Sequence, residues 1–172
     1  MIVKEIRDED FTSYKKSSMV IGFPSCTFKC ERDCGQKICQ NSALVHAPDI
    51  EVSIEQIIQR YLNNPITKAI IMAGLEPFDS ASDLLNLIKH IRMYTNDDIV
   101  IYTGYKKEEV KYMTFKTHWS GGRLEWSYLE RISQYPNIII KFGRFIPGQQ
   151  PHYDEVLGIN LASDNQYAER IS

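Results

Sequence analysis

The sequence predicts an α/β fold, in which a mainly parallel, open sheet with flanking helices forms a single domain over residues 1–172. The length of 172 residues fits one domain of ordinary size. Apolar runs of strand length alternate with amphipathic stretches of helix length, and this alternation implies right-handed crossovers and parallel pairing. A closed eight-unit barrel needs about 250 residues. We therefore expect an open sheet or a partial, truncated TIM-like barrel.

The core of this domain is expected over residues 18–142. Short apolar runs bounded by glycine, proline or polar residues predict its strands, at residues 18–23, 68–72, 98–103 and 137–142. Apolar residues at helical spacing predict two helices, over residues 53–62 and about 80–93. Ser53 is suited to cap the first helix, with Gln56 at the capping-box position.

The remaining segments carry weaker signals. A short helix around Val110 is expected to give way to an aromatic, glycine-containing loop at residues 115–122, and a helix is expected to resume over about 123–135. Trp119 in that loop is suited either to a partner contact or to the core. Residues 143–172 contain several glycines and prolines and predict a loop-rich tail.

The charge distribution excludes two classes of partner. The net charge is -2, and lysine and arginine are scattered rather than striped, so we expect neither nucleic acid nor an anionic membrane as a partner. No apolar run approaches the roughly 18 residues of a membrane span, and the charged N-terminal segment does not resemble a signal peptide. We expect a cytoplasmic protein.

The four cysteines are the most informative feature of the sequence. Cys26, Cys30, Cys34 and Cys39 lie within one short segment, and the rest of the chain has none. Clustered thiols in a reduced, cytosolic chain indicate a metal site or redox chemistry, and thiolates favour zinc or iron–sulfur clusters. Four-cysteine zinc sites usually pair two short knuckles across a longer loop, which this spacing lacks. The pattern favours an iron–sulfur cluster over zinc or free cysteines.

The glycine-containing and cysteine-containing loops all follow predicted strands. The cysteine loop follows the first strand, Gly74 the second and Gly104 the third. Because the carboxyl ends of parallel strands meet at one edge of a sheet, these loops should converge there. The sequence therefore predicts a site at that edge.

The cysteine segment resembles the signature of the radical S-adenosylmethionine (SAM) superfamily, which is Cys-x3-Cys-x2-Cys with an asparagine shortly after the third cysteine. Cys26 and Cys30 match the first pair, and Cys39 followed by Asn41 matches the end. Eight residues separate Cys30 from Cys39 here, instead of two. The sequence Gln40-Asn41 after Cys39 favours Cys39 as the third match over Cys34.

Four further segments extend the resemblance, and the last three of them narrow it to the activating proteins of anaerobic ribonucleoside-triphosphate reductase. Residues 72–77 (Met-Ala-Gly-Leu-Glu-Pro) are similar to the superfamily's Gly-Gly-Glu-Pro segment, with Leu75 in place of the second glycine. Residues 101–105 resemble a strand end of the activators. Residues 141–146 and 162–166 resemble the activators' Asp-Gly-Arg-Phe and Gly-Ser-x-Asn-Gln stretches.

The resemblance implies a set of site residues. The expected cluster ligands are Cys26, Cys30 and Cys39, with Cys34 as the less favoured third ligand. The expected SAM-binding residues are Asn41, Gly74, Glu76, Pro77, Thr103 and Gly104. No further catalytic residue is required, because the cofactor carries the difficult step.

The resemblance also implies a reaction. Three cysteines on a four-iron cluster leave one iron without a protein ligand, where SAM would bind and be reductively cleaved. In this family the resulting radical removes hydrogen from a glycine of anaerobic ribonucleotide reductase, and a flavodoxin- or ferredoxin-like protein supplies the electron. The alternatives are another protein or peptide as substrate, or a non-catalytic four-cysteine module that binds zinc or an iron–sulfur cluster.

Two of the singled-out residues also have ordinary structural interpretations. Glu76 precedes a proline and would suit the N-terminus of a helix, where the helix dipole favours a carboxylate. Arg144 lies between Phe142 and Phe145 near a strand end, where it would either hold an anionic ligand group or form a structural ion pair.

Overall fold

A six-stranded, mainly parallel sheet forms the centre of the computed structural model, which describes the backbone of residues 1–119 and 122–172 and the side chains of residues 1–116 and 125–172. The strands of this sheet are β2 (Glu5–Asp10), β3 (Ser18–Phe23), β5 (Ala69–Gly74), β6 (Asp98–Tyr102), β9 (Ile138–Phe142) and β12 (Tyr167–Arg170). Their spatial order is β12-β9-β6-β5-β3-β2. The four predicted strands are its four central members.

The strand pairings confirm the mixed α/β architecture. β3, β5, β6 and β9 pair in parallel, whereas β2 and β12 pair antiparallel with their neighbours at the two edges. Within the described residues the sheet does not close into a barrel, and its partial TIM-like character stays a prediction. The edge strand β2 has the sequence Glu-Ile-Arg-Asp-Glu-Asp, whose charges give little strand signal but suit a sheet edge.

The structure describes six helices. They are α1 (Lys29–Cys34), α2 (Ser42–His46), α3 (Ile54–Leu62), α4 (Ala81–Ile91), α5 (Lys107–Lys111) and α6 (Tyr128–Ile132). The predicted capping box of α3 is present, since the Ser53 hydroxyl accepts from the Gln56 N–H and the Gln56 side chain accepts from the Ser53 N–H. None of the described helices has the length and apolar character that crossing a membrane would require.

Apolar clusters cover both faces of the sheet. Helices α3, α4, α5 and α6 pack on one face, against side chains that include Ile138 and Ile140. The opposite face, which we call the inner face, carries Val20, Ile71, Val100 and Ile139. Tyr14, Leu157 and Leu161 cover these four residues from the loop after β2 and from the C-terminal tail. Burial on both faces explains why the central strands are continuous apolar runs.

The segment after α5 differs from the prediction. Instead of a loop at residues 115–122 and a helix beginning near residue 123, strands β7 (Thr114–Trp119) and β8 (Gly122–Ser127) form an antiparallel pair. Helix α6 begins only at Tyr128. The Tyr128 ring packs against the Phe115 ring, with 4.7 Å between the two ring centroids. Alternating aromatic and polar residues favour strands over a helix here. The Trp119 side chain, predicted either to contact a partner or to pack in the core, lies outside the side chains that the structure describes.

The tail predicted as loop-rich supplies three short strands. β10 (His152–Asp154) and β11 (Ile159–Leu161) form an antiparallel pair, and β12 extends the central sheet. The buried Asp154 carboxylate joins these parts, because it accepts hydrogen bonds from the N–H groups of Leu157 and Ala168. Two residues near the N-terminus form a further short strand, β1 (Ile2–Val3), paired with β4 (Ile50–Glu51).

Candidate active site

A cleft of about 180 Å³ opens at the carboxyl ends of β3, β5, β6 and β9. Its lining includes three cysteines and five of the predicted SAM-binding residues, namely Cys26, Cys30, Cys39, Asn41, Gly74, Glu76, Thr103 and Gly104. The sixth predicted residue, Pro77, is buried beside the cleft in a 3-10 turn (Pro77–Ser80). The structure therefore brings the loops after three strands together at one edge of the sheet.

The four cysteines do not share one environment. Cys26, Cys30 and Cys39 line the cleft, and Cys34 is absent from its lining. The Cys34 thiol instead contacts the carbonyl oxygen atoms of Gln36 (3.3 Å) and Glu31 (3.7 Å) at the end of α1. Cys39 as the third ligand stays a prediction, with this geometry in its favour.

Burial keeps the Cys26 and Cys30 thiols of the metal-free protein protonated at neutral pH. Burial raises the pKa of Cys26 to about 12, and burial also raises the pKa of Cys30, with a further contribution from the neighbouring Cys39. Because the thiolate is the form that binds metal, these thiols must lose protons when a metal centre binds.

Gly74 allows the cysteine loop and the loop after β5 to begin side by side. Its φ angle is +95°, and a Cβ atom at this position would lie 2.6 Å from the backbone nitrogen of Phe23. Only glycine fits such a close approach of two backbones at a positive φ. The Glu76 N–H then donates to the carbonyl oxygen of Ser25 (2.8 Å), next to Cys26. Asn41 reaches the same point, where its side-chain amide donates to the Gly74 carbonyl oxygen (2.8 Å).

Glu76 joins the predicted site residues through hydrogen bonds. Its carboxylate is 5% exposed and accepts from the Phe78 N–H (3.1 Å), the Thr103 hydroxyl (2.7 Å) and the Gly104 N–H (2.9 Å). Burial raises the pKa of Glu76 to about 7, although the three donated hydrogen bonds lower it. The predicted role of Glu76 at the N-terminus of a helix is confirmed in part, because Glu76 caps the 3-10 turn. The same carboxylate also fixes the end of β6 relative to β5.

Lys141 is a site residue that the sequence reasoning missed. It pairs with Tyr102 across β6 and β9, and both side chains line the cleft. Only 7% of Lys141 is exposed, and its ammonium donates to the Gly143 carbonyl oxygen (2.7 Å). Burial lowers the pKa of Lys141 to about 8. The sequence signal that could have identified this residue is a lysine within the apolar run Ile138–Phe142. Lys141 places a cation in the lining of the cleft, where it is suited to an anionic group of a ligand.

Asp79 and Tyr105 also escaped the sequence reasoning. The Tyr105 hydroxyl donates to one Asp79 oxygen (2.6 Å), and the Thr27 N–H donates to the other. The Tyr105 and Thr27 hydroxyl groups are 3.1 Å apart. These contacts connect the residue after Cys26 to the loops that follow β5 and β6.

Arg144 forms the structural ion pairs that were one of its two predicted roles. Its guanidinium contacts the Asp33 carboxylate on α1, donates to Glu109 on α5 (2.6 Å between Nη2 and Oε2) and reaches the Gly104 carbonyl oxygen (3.3 Å). Asn165 donates to the Arg144 carbonyl oxygen (2.9 Å). Asn165, in the tail segment that resembles the activators, thus stabilises the turn that carries Arg144.

The family of the chain follows from its sequence. The model of the 4Fe-4S single cluster domain family matches residues 18–125, which is more than half of the 172 residues and includes all four cysteines. The chain belongs to this family. Comparisons with curated proteins and with solved structures found no match. The predicted iron–sulfur cluster is confirmed at the level of the family, and the chain is a 4Fe-4S single cluster protein.

The residues of the cleft suit the cluster of this 4Fe-4S family. The described side chains include no group of three histidine, cysteine or acidic residues already gathered around one metal ion. A four-iron cluster takes its thiolates on different iron atoms. Cys26, Cys30 and Cys39 line one cleft and supply three thiol groups, the ligand type that such a cluster takes.

Proposed function

We propose that the protein is a radical SAM activating enzyme that generates a glycyl radical on an anaerobic ribonucleotide reductase. The observation that carries the proposal is that three of the four cysteines line the cleft. A four-iron cluster on Cys26, Cys30 and Cys39 would leave one iron without a protein ligand, and five of the six residues expected to bind SAM line the same cleft. When bound, the cluster supplies that open iron and the electron for reductive cleavage of SAM.

The residues around the cleft would bind and orient SAM. The Lys141 ammonium is a buried cation in the lining of the cleft and suits the carboxylate of the methionine moiety. The resemblance to the superfamily assigns the amino group of that moiety to the backbone near Gly74 and Leu75. Glu76 would act through its hydrogen bonds to Thr103 and Gly104, which hold the two loops in place.

A protein substrate is supported by the shape of the cleft. A neighbouring hollow shares Gly74 and Tyr102 with the cleft and extends along the inner face to Val20 and Arg7 on the β2 side. This side of the sheet ends at an edge strand. An extended segment of a partner protein would reach the cleft by this route. A glycine is a suitable target because it has no side chain to hinder close approach.

The electron would come from a separate protein. All four cysteines of the chain lie in residues 26–39, so the chain offers no cysteines for a second cluster. We propose a flavodoxin- or ferredoxin-like donor, and the cytoplasm as the compartment in which donor, activator and reductase meet.

Anaerobic reconstitution with iron and sulfide tests the proposal. We expect a reduced four-iron electron paramagnetic resonance signal that changes when SAM is added, and 5′-deoxyadenosine as a product under strong reductant. Addition of an anaerobic reductase should then give a glycyl radical signal. Stoichiometric zinc, or a cluster signal that ignores SAM, would support the four-cysteine module instead. Cofactor cleavage without a radical on the reductase would support another protein or peptide as substrate.

A further inference from the structure

Helix α1 carries Cys30, yet it is not held by apolar packing. None of its six residues is buried, and no residue from Pro24 to Gln56, all of them described, is buried either. Apolar burial is the usual source of stability for a short helix, since isolated helices of this length do not persist in water. The position of Cys30 must therefore depend on polar contacts.

Most polar contacts of α1 stay within the cysteine segment. Arg32 donates to the Thr27 carbonyl oxygen, and the Glu31 carboxylate accepts from the Cys39 N–H (3.1 Å). Such contacts shape the segment but do not attach it to the sheet. Among the described residues, the hydrogen bonds and ion pairs that join α1 to the rest of the protein involve two of its side chains, Asp33 and Lys29.

Both attachments lead to one ion-pair network, which we call the Arg144 network. It consists of Lys29 and Asp33 on α1, Glu109 on α5, and Arg144 after β9. Arg144 contacts both carboxylates at once, and Lys29 lies 3.1 Å from Asp33 and 3.3 Å from Glu109, measured between nitrogen and oxygen atoms. Two positive and two negative groups make the network neutral overall.

The Arg144 side chain is suited to hold a helix in place. It is 10% exposed, and its Nε also reaches the Gly104 carbonyl oxygen at the edge of the cleft. Planar guanidinium groups that contact two carboxylates fix geometry as well as charge. The Glu109 side chain is 27% exposed and the Asp33 side chain 39%, so solvent screens the Arg144–Asp33 pair more than the Arg144–Glu109 pair. The pairs within reach of bulk solvent, such as Lys29 with Asp33, contribute much less.

We infer that Arg144 is a positioning residue that sets the location of α1, and through it the location of Cys30 in the cluster site. The inference rests on the proposed cluster ligands. Arg144 acts through Asp33 and Glu109 and does not touch a cysteine sulfur as a ligand would. It adds a determinant outside the cysteine segment to the geometry of the metal centre.

The test compares Arg144→Gln with Arg60→Gln. Arg60 also makes a two-bond ion pair, with Asp8, at the surface far from the cysteines in sequence and in the fold, and serves as the matched control. In reconstituted protein we expect Arg144→Gln to lose its cluster to a chelator about 10-fold faster than wild type, at the low end of the affinity loss for outer-shell partners of a metal site, because Arg144 is one contact further from the cysteines. Its reduced cluster should also show an altered electron paramagnetic resonance spectrum. Arg60→Gln should match wild type in both measurements.

A second set of variants separates positioning from general destabilisation. The double variant Asp33→Asn, Glu109→Gln removes both carboxylate partners of Arg144. Adding Arg144→Gln to this double variant should change the rate of cluster loss by less than about twofold, because the effects of substitutions at interacting residues are not additive. The melting temperature of the metal-free Arg144→Gln protein should remain well above the temperature of the chelator assay, so that faster cluster loss is measured on folded protein. If Arg144→Gln loses its cluster at the wild-type rate, or if its effect is fully additive with that of the double variant, the inference about Arg144 is wrong and the proposed function is unaffected. A wild-type protein that binds no cluster would overturn the proposed function, and the inference with it.

Discussion

Gly74→Ala would test the close approach of β5 to β3, on which the site geometry depends. The φ of +95° imposes on alanine a conformational cost of about 1–2 kcal/mol. The new methyl group would also lie 2.6 Å from the Phe23 nitrogen and 2.7 Å from the Gly22 Cα atom. These are backbone atoms within a sheet, so relief requires a strand to move, at a further cost of about 1–3 kcal/mol. We expect the free energy of unfolding to fall by about 2–5 kcal/mol.

Urea titration and thermal melting of the metal-free protein would measure this loss. For a chain of this size each kcal/mol lowers the melting temperature by about 2–4 °C. Gly148→Ala is the control, because Gly148 has a similar φ of +84° and a Cβ atom there would meet nothing within 4 Å. It should lose only the conformational part. Equal losses in the two variants would refute the argument that backbone contact, and not φ alone, requires glycine at residue 74.

Three further predictions concern the cluster, the buried carboxylate of the cleft and the opposite end of the sheet. Cys34→Ala should retain wild-type iron content after reconstitution, whereas Cys39→Ala should not; equal iron in both would contradict the proposed ligand set. Thr103→Val removes a hydrogen bond to the buried Glu76 and should lower the free energy of unfolding by about 1–3 kcal/mol in urea titration; no loss would contradict that hydrogen bond. Burial acts to raise the pKa of Asp98, but hydrogen bonds from Lys16, Arg170 and Tyr14 outweigh it and hold that pKa below 3.8. The stability that the Asp98 carboxylate contributes is present above pH 3.8 and is lost as the pH falls through the lowered pKa. The unfolding free energy of Asp98→Asn should therefore vary less with pH below 4 than that of wild type. Equal pH dependence in the two proteins would exclude this contribution of Asp98.

The parallel strands were predictable because each is buried on both faces. Such strands are continuous apolar runs, as in residues 138–140, and turn-forming residues bound them. Topology then requires their carboxyl ends to share one edge, which is why Gly74, Gly104 and the cysteine loop could be placed together before any coordinates. Local chemistry was equally informative at Ser53, where the capping box needs only residues three apart.

The parts that escaped prediction depend on contacts between distant residues. The edge strands β2 and β12 are specified by pairing with β3 and β9 rather than by an apolar pattern of their own. Lys141 faces the cleft because of its register with Tyr102. Arg144 and Asp33 meet although 111 positions separate them in the chain. Periodicity within a window of residues carries no information about such partners.

The unburied cysteine segment has a consequence for the order of assembly. Because residues 24–49 contribute no side chain to either apolar cluster, the apolar core can form without them, and the cluster can enter a protein whose sheet is already complete. In the metal-free protein, amide hydrogens of α1 should exchange with solvent far faster than those of β5 and β6, and proteases should cut this segment first. Cluster insertion would then suppress both, because the bonds to the metal centre would add to the polar contacts that place this segment in the metal-free protein.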